Sequence, residues 1–206
     1  MLHYEIHVTV RTNEVERFQD VCKELGVKSI ILDLQKKSGD VLCEVMTSST
    51  ISTYDKTVVE AKAAMVSICV LLTKAGFEVI RSKIETVPWH PLAPSEHNGQ
   101  SHFEGSHFET HFGVVINYPE DVDNLKEIAK TFNLHLSKNV FKRRSDGSYI
   151  QMATYRSYDK VNEDFSLLVD QILKTMYSKH LTLEKLPKIE FAVYDTNHKH
   201  DLNWIE

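Results

Sequence analysis

A short motif that occurs twice constrains this chain more than any other feature. His3-Tyr4-Glu5-Ile6-His7 returns as His107-Phe108-Glu109-Thr110-His111, 104 positions later, in the shared pattern His-aromatic-Glu-x-His. Other echoes keep nearly the same offset: Tyr54-Asp55-Lys56 with Tyr158-Asp159-Lys160, Lys83-Ile84-Glu85 with Lys188-Ile189-Glu190, and Met46 with Met152. Loop insertions account for a drift of one or two positions. The chain is therefore expected to be a tandem duplication, with residues 1–87 as the first repeat and 106–206 as the second. The stretch 88–105 carries Pro88, Pro91, Pro94, Gly99 and Gly105 without apolar periodicity, and reads as a linker.

Each half parses alike. Tyr4, Ile6, Val8 and Val10 alternate with His3, Glu5, His7 and Thr9, the period of a half-buried strand. Asn13 with Glu16 suggests a capping box, and Val15, Phe18, Val21, Cys22 and Leu25 form a helical stripe that Gly26 ends. Strands at about 29–34 and 41–46 flank the turn Ser38-Gly39-Asp40, a helix follows from about Lys56 to Ala75, and 77–87 is the last strand. The second half repeats this as strand 108–116, helix 120–132, strand 136–142, turn Ser145-Asp146-Gly147, strand 148–154, helix 160–177 and strand 188–194. The expected class is α+β: a tandem of ferredoxin-like β-α-β-β-α-β units with antiparallel sheets and helices on one face. A βαβββ module is the rival plan, and the long helical stretch 56–75 argues against it.

Alternation places His3, Glu5 and His7 on the face of the first strand that the helices leave uncovered, and His107, Glu109 and His111 likewise. In a ferredoxin-like unit the first strand lies beside the last, which here carries Lys83 and Glu85, or Lys188 and Glu190. If the two open faces meet, these groups converge in one cleft. Imidazole and carboxylate suit a divalent metal held by His3, Glu5, His7, His107, Glu109 and His111. A histidine tuned by a carboxylate suits acid–base work, with His7 and His111 as the catalytic candidates. Lys83, Glu85, Lys188, Glu190 and Thr9 suit a small polar or anionic ligand. Against these stands a plain solvated sheet face with cross-strand Lys–Glu pairs, in which the chain is a non-enzymatic interaction module.

His7-Val8-Thr9-Val10 resembles the H-x-T-x motif of the 2H phosphoesterases, duplicated enzymes with one such motif per lobe. The resemblance implies His7 and His111 as acid and base on a phosphodiester, with Thr9 holding its phosphate. The matching segment, His111-Phe112-Gly113-Val114, has glycine where the family has threonine. His180-Leu181-Thr182-Leu183 also fits the pattern but has no counterpart in the first half.

A net charge of -5 argues against nucleic acid as the main partner. The N-terminus lacks a basic and apolar leader, and the longest apolar run, 65–72, is too short for a membrane span. Cys22, Cys43 and Cys69 lack C-x-x-C spacing, so free thiols and a cytoplasmic location are expected. No Rossmann or Walker glycine loop, HExxH helix or G-x-S-x-G elbow is present, which disfavours nucleotide-dependent kinases, Rossmann oxidoreductases and serine hydrolases. Asp55 and Asp159 read as helix N-caps, Lys36-Lys37 and Lys142-Arg143-Arg144 as solvated hairpin tips, and Trp89-His90-Pro91 as an anchor for the linker. In the tail, His198, His200 and Asp201 are weak metal candidates, and Trp204 is a tether onto the core.

Overall fold

The alternation along the first strand is realised in a computed structural model, which describes residues 1–35, 41–54 and 58–197. β1 (Leu2–Arg11) buries Tyr4, Ile6, Val8 and Val10. Against them pack Phe18 and Cys22 of α1 (Val15–Glu24) and Ala61, Met65, Ile68 and Leu72 of α2 (Val59–Lys74). The α2 spacing is that of one helix face, and each large side chain removed from water contributes ~1.5–3 kcal/mol. The remaining elements of this half are β2 (Lys28–Gln35), β3 (Val41–Thr53) and β4 (Glu78–Thr86). The second half supplies β5 (His107–Ile116), α3 (Pro119–Phe132), β6 (His135–Arg143), β7 (Tyr149–Ser157), α4 (Asn162–Ser178), β8 (Thr182–Leu183) and β9 (Ile189–Asp195). In α4, Phe165, Val169, Ile172 and Met176 repeat the α2 spacing.

Among the described residues the fold is mixed α+β, with four helices and one nine-stranded antiparallel sheet. The strand order is β2-β3-β1-β4-β9-β5-β7-β6, with β8 added beside β5. β1 thus lies between β3 and β4, and β5 between β7 and β9. β9 joins the halves by pairing with both β4 and β5. Gly105 lets the chain enter β5 close to the end of β9. Its φ is +80°, and a Cβ there would lie 2.6 Å from the Asp195 carbonyl oxygen. The outermost strands, β2 and β6, approach each other, so the sheet curls with its helices outside and its polar face inside.

Several local expectations need correction. The N-cap position of α1 is Glu14, not Asn13, and no side chain caps it; instead Glu14 N–H donates to Thr12 Oγ1 at 2.9 Å. α4 begins after Val161 rather than at Asp159, whose carboxylate accepts from Ser157 Oγ at 2.8 Å. The two-residue β8 was not anticipated. The stretch 88–105 forms no helix or strand but is firmly anchored, since His90 is buried and His102 Nε2 donates to the Lys160 carbonyl at 2.7 Å. The turn Ser38-Gly39-Asp40, Lys36-Lys37, Asp55, the start of a helix at Lys56, and the tail residues His198, His200, Asp201 and Trp204 lie outside the described residues. No helix among the described residues is long and apolar enough to cross a membrane.

Candidate functional site

Every strand of the curled sheet except β8 contributes to one interior cavity of about 310 Å³. Its lining includes Glu5, His7 and Thr9 of β1, Arg81, Lys83 and Glu85 of β4, His111 of β5, Thr154 and Arg156 of β7, and Glu190 of β9. Register explains the convergence. His7 lies opposite Lys83 and Glu5 opposite Glu85 between β1 and β4, and Glu109 lies opposite Glu190 between β5 and β9. Side chains alternate across a strand, so the residues between these, such as Ile6, Ile84 and Phe108, face the helices.

An ion network lies beneath the cavity floor. Glu109, fully buried, receives Lys83 Nζ at 2.6 Å and Arg156 Nε at 2.6 Å. Burial opposes its ionisation, but the Lys83 and Arg156 cations hold its carboxyl well below the usual range. Lys83 Nζ also lies 2.7 Å from Glu85 Oε1. That contact is off the hydrogen-bond axis, so this buried oxygen keeps unused acceptor capacity. Burial disfavours the Lys83 ammonium, and the Glu109 and Glu85 carboxylates outweigh it, raising its pKa. Arg81 makes a bidentate pair with Asp195 at 3.0 and 2.7 Å. That partner holds the Asp195 carboxyl below its ordinary value in spite of burial.

The two motif histidines differ. His7 Nδ1 donates to the Thr47 carbonyl at 3.3 Å, and Nε2 lies 2.9 Å from Glu85 Oε2 and 3.5 Å from Glu5 Oε1. Both ring nitrogens face acceptors, which suits the imidazolium. Burial lowers its pKa, but the Glu85 hydrogen bond and charge outweigh burial and raise it. His111 is more open; its Nδ1 shares a hydrogen bond with Thr154 Oγ1 at 2.9 Å, and Nε2 lies 3.4 Å from Glu109. Glu190 has no hydrogen-bond or ion-pair partner among the described residues. Burial, then the Glu85 and Glu109 carboxylates, push its carboxyl up to about 7 against the opposing pull of His111 and Lys83.

The other motif residues lie elsewhere. His107 is fully buried against the Tyr158 ring, 3.4 Å from Glu109, with neither ring nitrogen in a hydrogen bond. His3, hydrogen-bonded through Nδ1 to Ser52 Oγ at 2.7 Å, and Lys188 line a second cavity of about 660 Å³. Glu5, Glu85 and Glu190 line both cavities. Donor atoms of Glu85, Glu109, His111 and Glu190 all lie within 4.8 Å of one another, a set able to approach one metal ion. Of the residues expected to bind metal, Glu109 and His111 belong to this set; His3, Glu5, His7 and His107 do not. Gly113 occupies the position matching Thr9, as the register against Met152 and Met46 shows. His180 sits in a helix-terminal turn with φ +58° and is not in the cavity lining. Arg81, Arg156, Glu44 and Thr154 were missed in the sequence, although Arg81-x-Lys83-x-Glu85 is a readable alternation.

No family model matches the chain. No curated protein matches it in sequence. Among solved structures it is similar to a candidate glycine cleavage system transcriptional repressor, at TM-score 0.31 and 10% identity over 92% of this chain and 96% of that one. It is also similar to a protein of unknown function from Galdieria sulphuraria, at 0.30 and 9% over 93% and 99%. The small subunit of acetolactate synthase from Thermotoga maritima is similar at 0.30 and 12% over 94% and 99%. Likeness at this level names neither family nor ligand.

Proposed function

We propose that this protein binds a small, positively charged polar molecule in the interior cavity, between two ferredoxin-like repeats formed by residues 1–87 and 106–206 and joined by 88–105. One observation carries the reading: the cations of the cavity are engaged by its own carboxylates, whereas Glu190 is left without a partner among the described residues. A half-buried carboxyl pushed toward neutrality by desolvation and its neighbours is relieved when a ligand brings a positive charge or strong donors. An anionic ligand meets the opposite balance, since Lys83 and Arg156 already face Glu109. The same balance weighs against the phosphodiester reading, because a phosphate beside His7 and Thr9 would also face Glu5 and Glu85. A cavity of this size suits a ligand of modest dimensions.

The test is a thermal-shift and calorimetric panel of small primary amines, guanidines, carboxylates and phosphates. Amines or guanidines should raise Tm saturably, and Glu190→Gln should remove the effect. Stabilisation by the anions alone would overturn the reading.

A second reading rests on the four clustered donor atoms. Glu85, Glu109, His111 and Glu190 would hold a divalent ion, a carboxylate-rich set suited to Mn, Mg or Zn. Such an ion would supply Lewis acidity or polarise a bound oxygen. Lys83 already contacts two of the three carboxylates, Glu85 and Glu109, so the ion would have to displace an ammonium. Titration of tag-free protein with each metal should then give one site that His111→Ala weakens at least about tenfold; no saturable heat would end this reading.

A further inference from the structure

Beyond the carboxylates, the second cavity has a wall of a different kind. Pro88, Trp89 and Pro187 line it together with His3, Thr50 and Lys188. Trp89 is 71% exposed, and its backbone is held from both sides. His90, next in the chain and 1% exposed, donates its N–H to the Val87 carbonyl at 3.1 Å and accepts the Ala93 N–H at its own carbonyl at 2.8 Å. Its Nδ1 accepts the Leu92 N–H at 3.1 Å, which leaves the proton on Nε2, donated to the Tyr4 hydroxyl oxygen at 2.8 Å. A single exposed apolar residue is ordinary. This one has an anchored backbone beside a cavity that shares Glu5, Glu85 and Glu190 with the first, and Glu85 there is 4% exposed, its Oε1 outside any hydrogen bond although 2.7 Å from the Lys83 ammonium.

A cavity lined by an indole and by three carboxylates, one of them buried, attracts one chemical class, the organic cation: the indole quadrupole and the carboxylate charge both favour positive charge, and the prolines and Trp89 favour an apolar body. His3 and the exposed Lys188 also face this cavity, but Lys188 lies toward solvent, where its charge is screened. We propose that the second cavity is a binding site for an alkylammonium ligand, its charged head against the Glu5/Glu85/Glu190 layer and its apolar part against Trp89. The proposal rests on the preceding reading that this layer attracts positive charge, and it adds a separate site with an aromatic wall.

The probe is choline, with its neutral isostere 3,3-dimethylbutanol as control. The chain has two tryptophans, so Trp204→Phe leaves Trp89 as the sole indole. Choline should change that fluorescence saturably and the neutral isostere should not. By calorimetry, Trp89→Ala and Glu190→Gln should each weaken choline about tenfold or more. Trp89→Phe should retain most of the affinity, and Met152→Ala, which alters only the first cavity, should leave it unchanged. Retention of native circular dichroism in each variant separates lost binding from lost folding. Equal binding of the isostere, or no response at Trp89, overturns the proposal. If small amines still stabilise the protein through Glu190 in that case, the interior-cavity reading stands alone; if they do not, both fall.

Discussion

At the scale of single residues, Glu190 is the most sensitive reporter of the cavity. Its carboxyl is raised to about 7, first by burial and then by the Glu85 and Glu109 carboxylates. A carboxyl with a raised folded-state pKa binds its proton in the folded state when the unfolded chain has already released it. Its stabilising effect is complete below the ordinary carboxylate pKa and is lost as pH rises through about 7. Glu190→Gln removes this dependence. Relative to that variant, the wild-type protein should lose ~2–3 kcal/mol between pH 4.5 and 8. Urea unfolding of both proteins at pH 5, 6, 7 and 8 measures the difference. A difference that stays constant across the series would show that Glu190 ionises normally. His90 has the opposite sense: burial lowers its pKa, so its neutral, doubly hydrogen-bonded ring is stabilising above the ordinary histidine value and costs stability as pH falls below it.

At the scale of elements, the helix ends show what a sequence makes visible. α1 and α2 stop at Gly26 and Gly76, and both ends close the same way. Gly26 N–H bonds the Lys23 carbonyl and Val27 N–H that of Cys22, while Gly76 and Phe77 bond Thr73 and Leu72. α4 closes identically, with His180 bonding Tyr177 and Leu181 bonding Met176, but an exposed histidine at φ +58° takes the glycine position. His180→Gly should therefore stabilise the protein by ~0.5–1 kcal/mol, because glycine adopts this conformation without a Cβ penalty. A higher denaturant midpoint at unchanged m-value is the expected result, and a lower midpoint would reveal a contact made by the imidazole. The same contrast governs what was legible. The alternation of β1 and the glycine stops are local signals: they place Tyr4, Ile6, Val8 and Val10 on the helix side and end α1 and α2 at Gly26 and Gly76, whereas the starts of α1 and α4 and the short β8 escaped them. The pairing of Glu109 with Arg156 and of Arg81 with Asp195 joins strands far apart in sequence, and on a strand such residues look like any solvated charge. His3 and His107 occupy matching motif positions, yet one faces the second cavity and the other is sealed under Tyr158, a difference made by packing and not by the motif.

At the scale of the whole molecule, the decisive element is β9. It is the last strand of the second half, yet it pairs with β4 of the first as well as with β5. Without it, β4 would present an unpaired edge, and the buried Arg81 would lose the Asp195 carboxylate. If the repeats are as proposed above, neither should be stable alone, since Arg81 pairs with Asp195 and Lys83 with Glu109 across the β4–β9–β5 junction. Fragments 1–105 and 106–206 put this to the test. Expressed separately, each should be aggregation-prone or non-cooperative in unfolding; expressed together, they should co-purify one to one and regain the amine response of the interior cavity. Asp195→Asn should weaken the association about 100-fold, because a buried guanidinium stripped of its carboxylate costs ~3 kcal/mol or more. Two fragments that each fold cooperatively as monomers, with no affinity for each other, would mean that the continuous sheet is a contact between independent domains. The cavity would then lose its physical basis as well, because its walls come from both sides of the β4–β9–β5 junction.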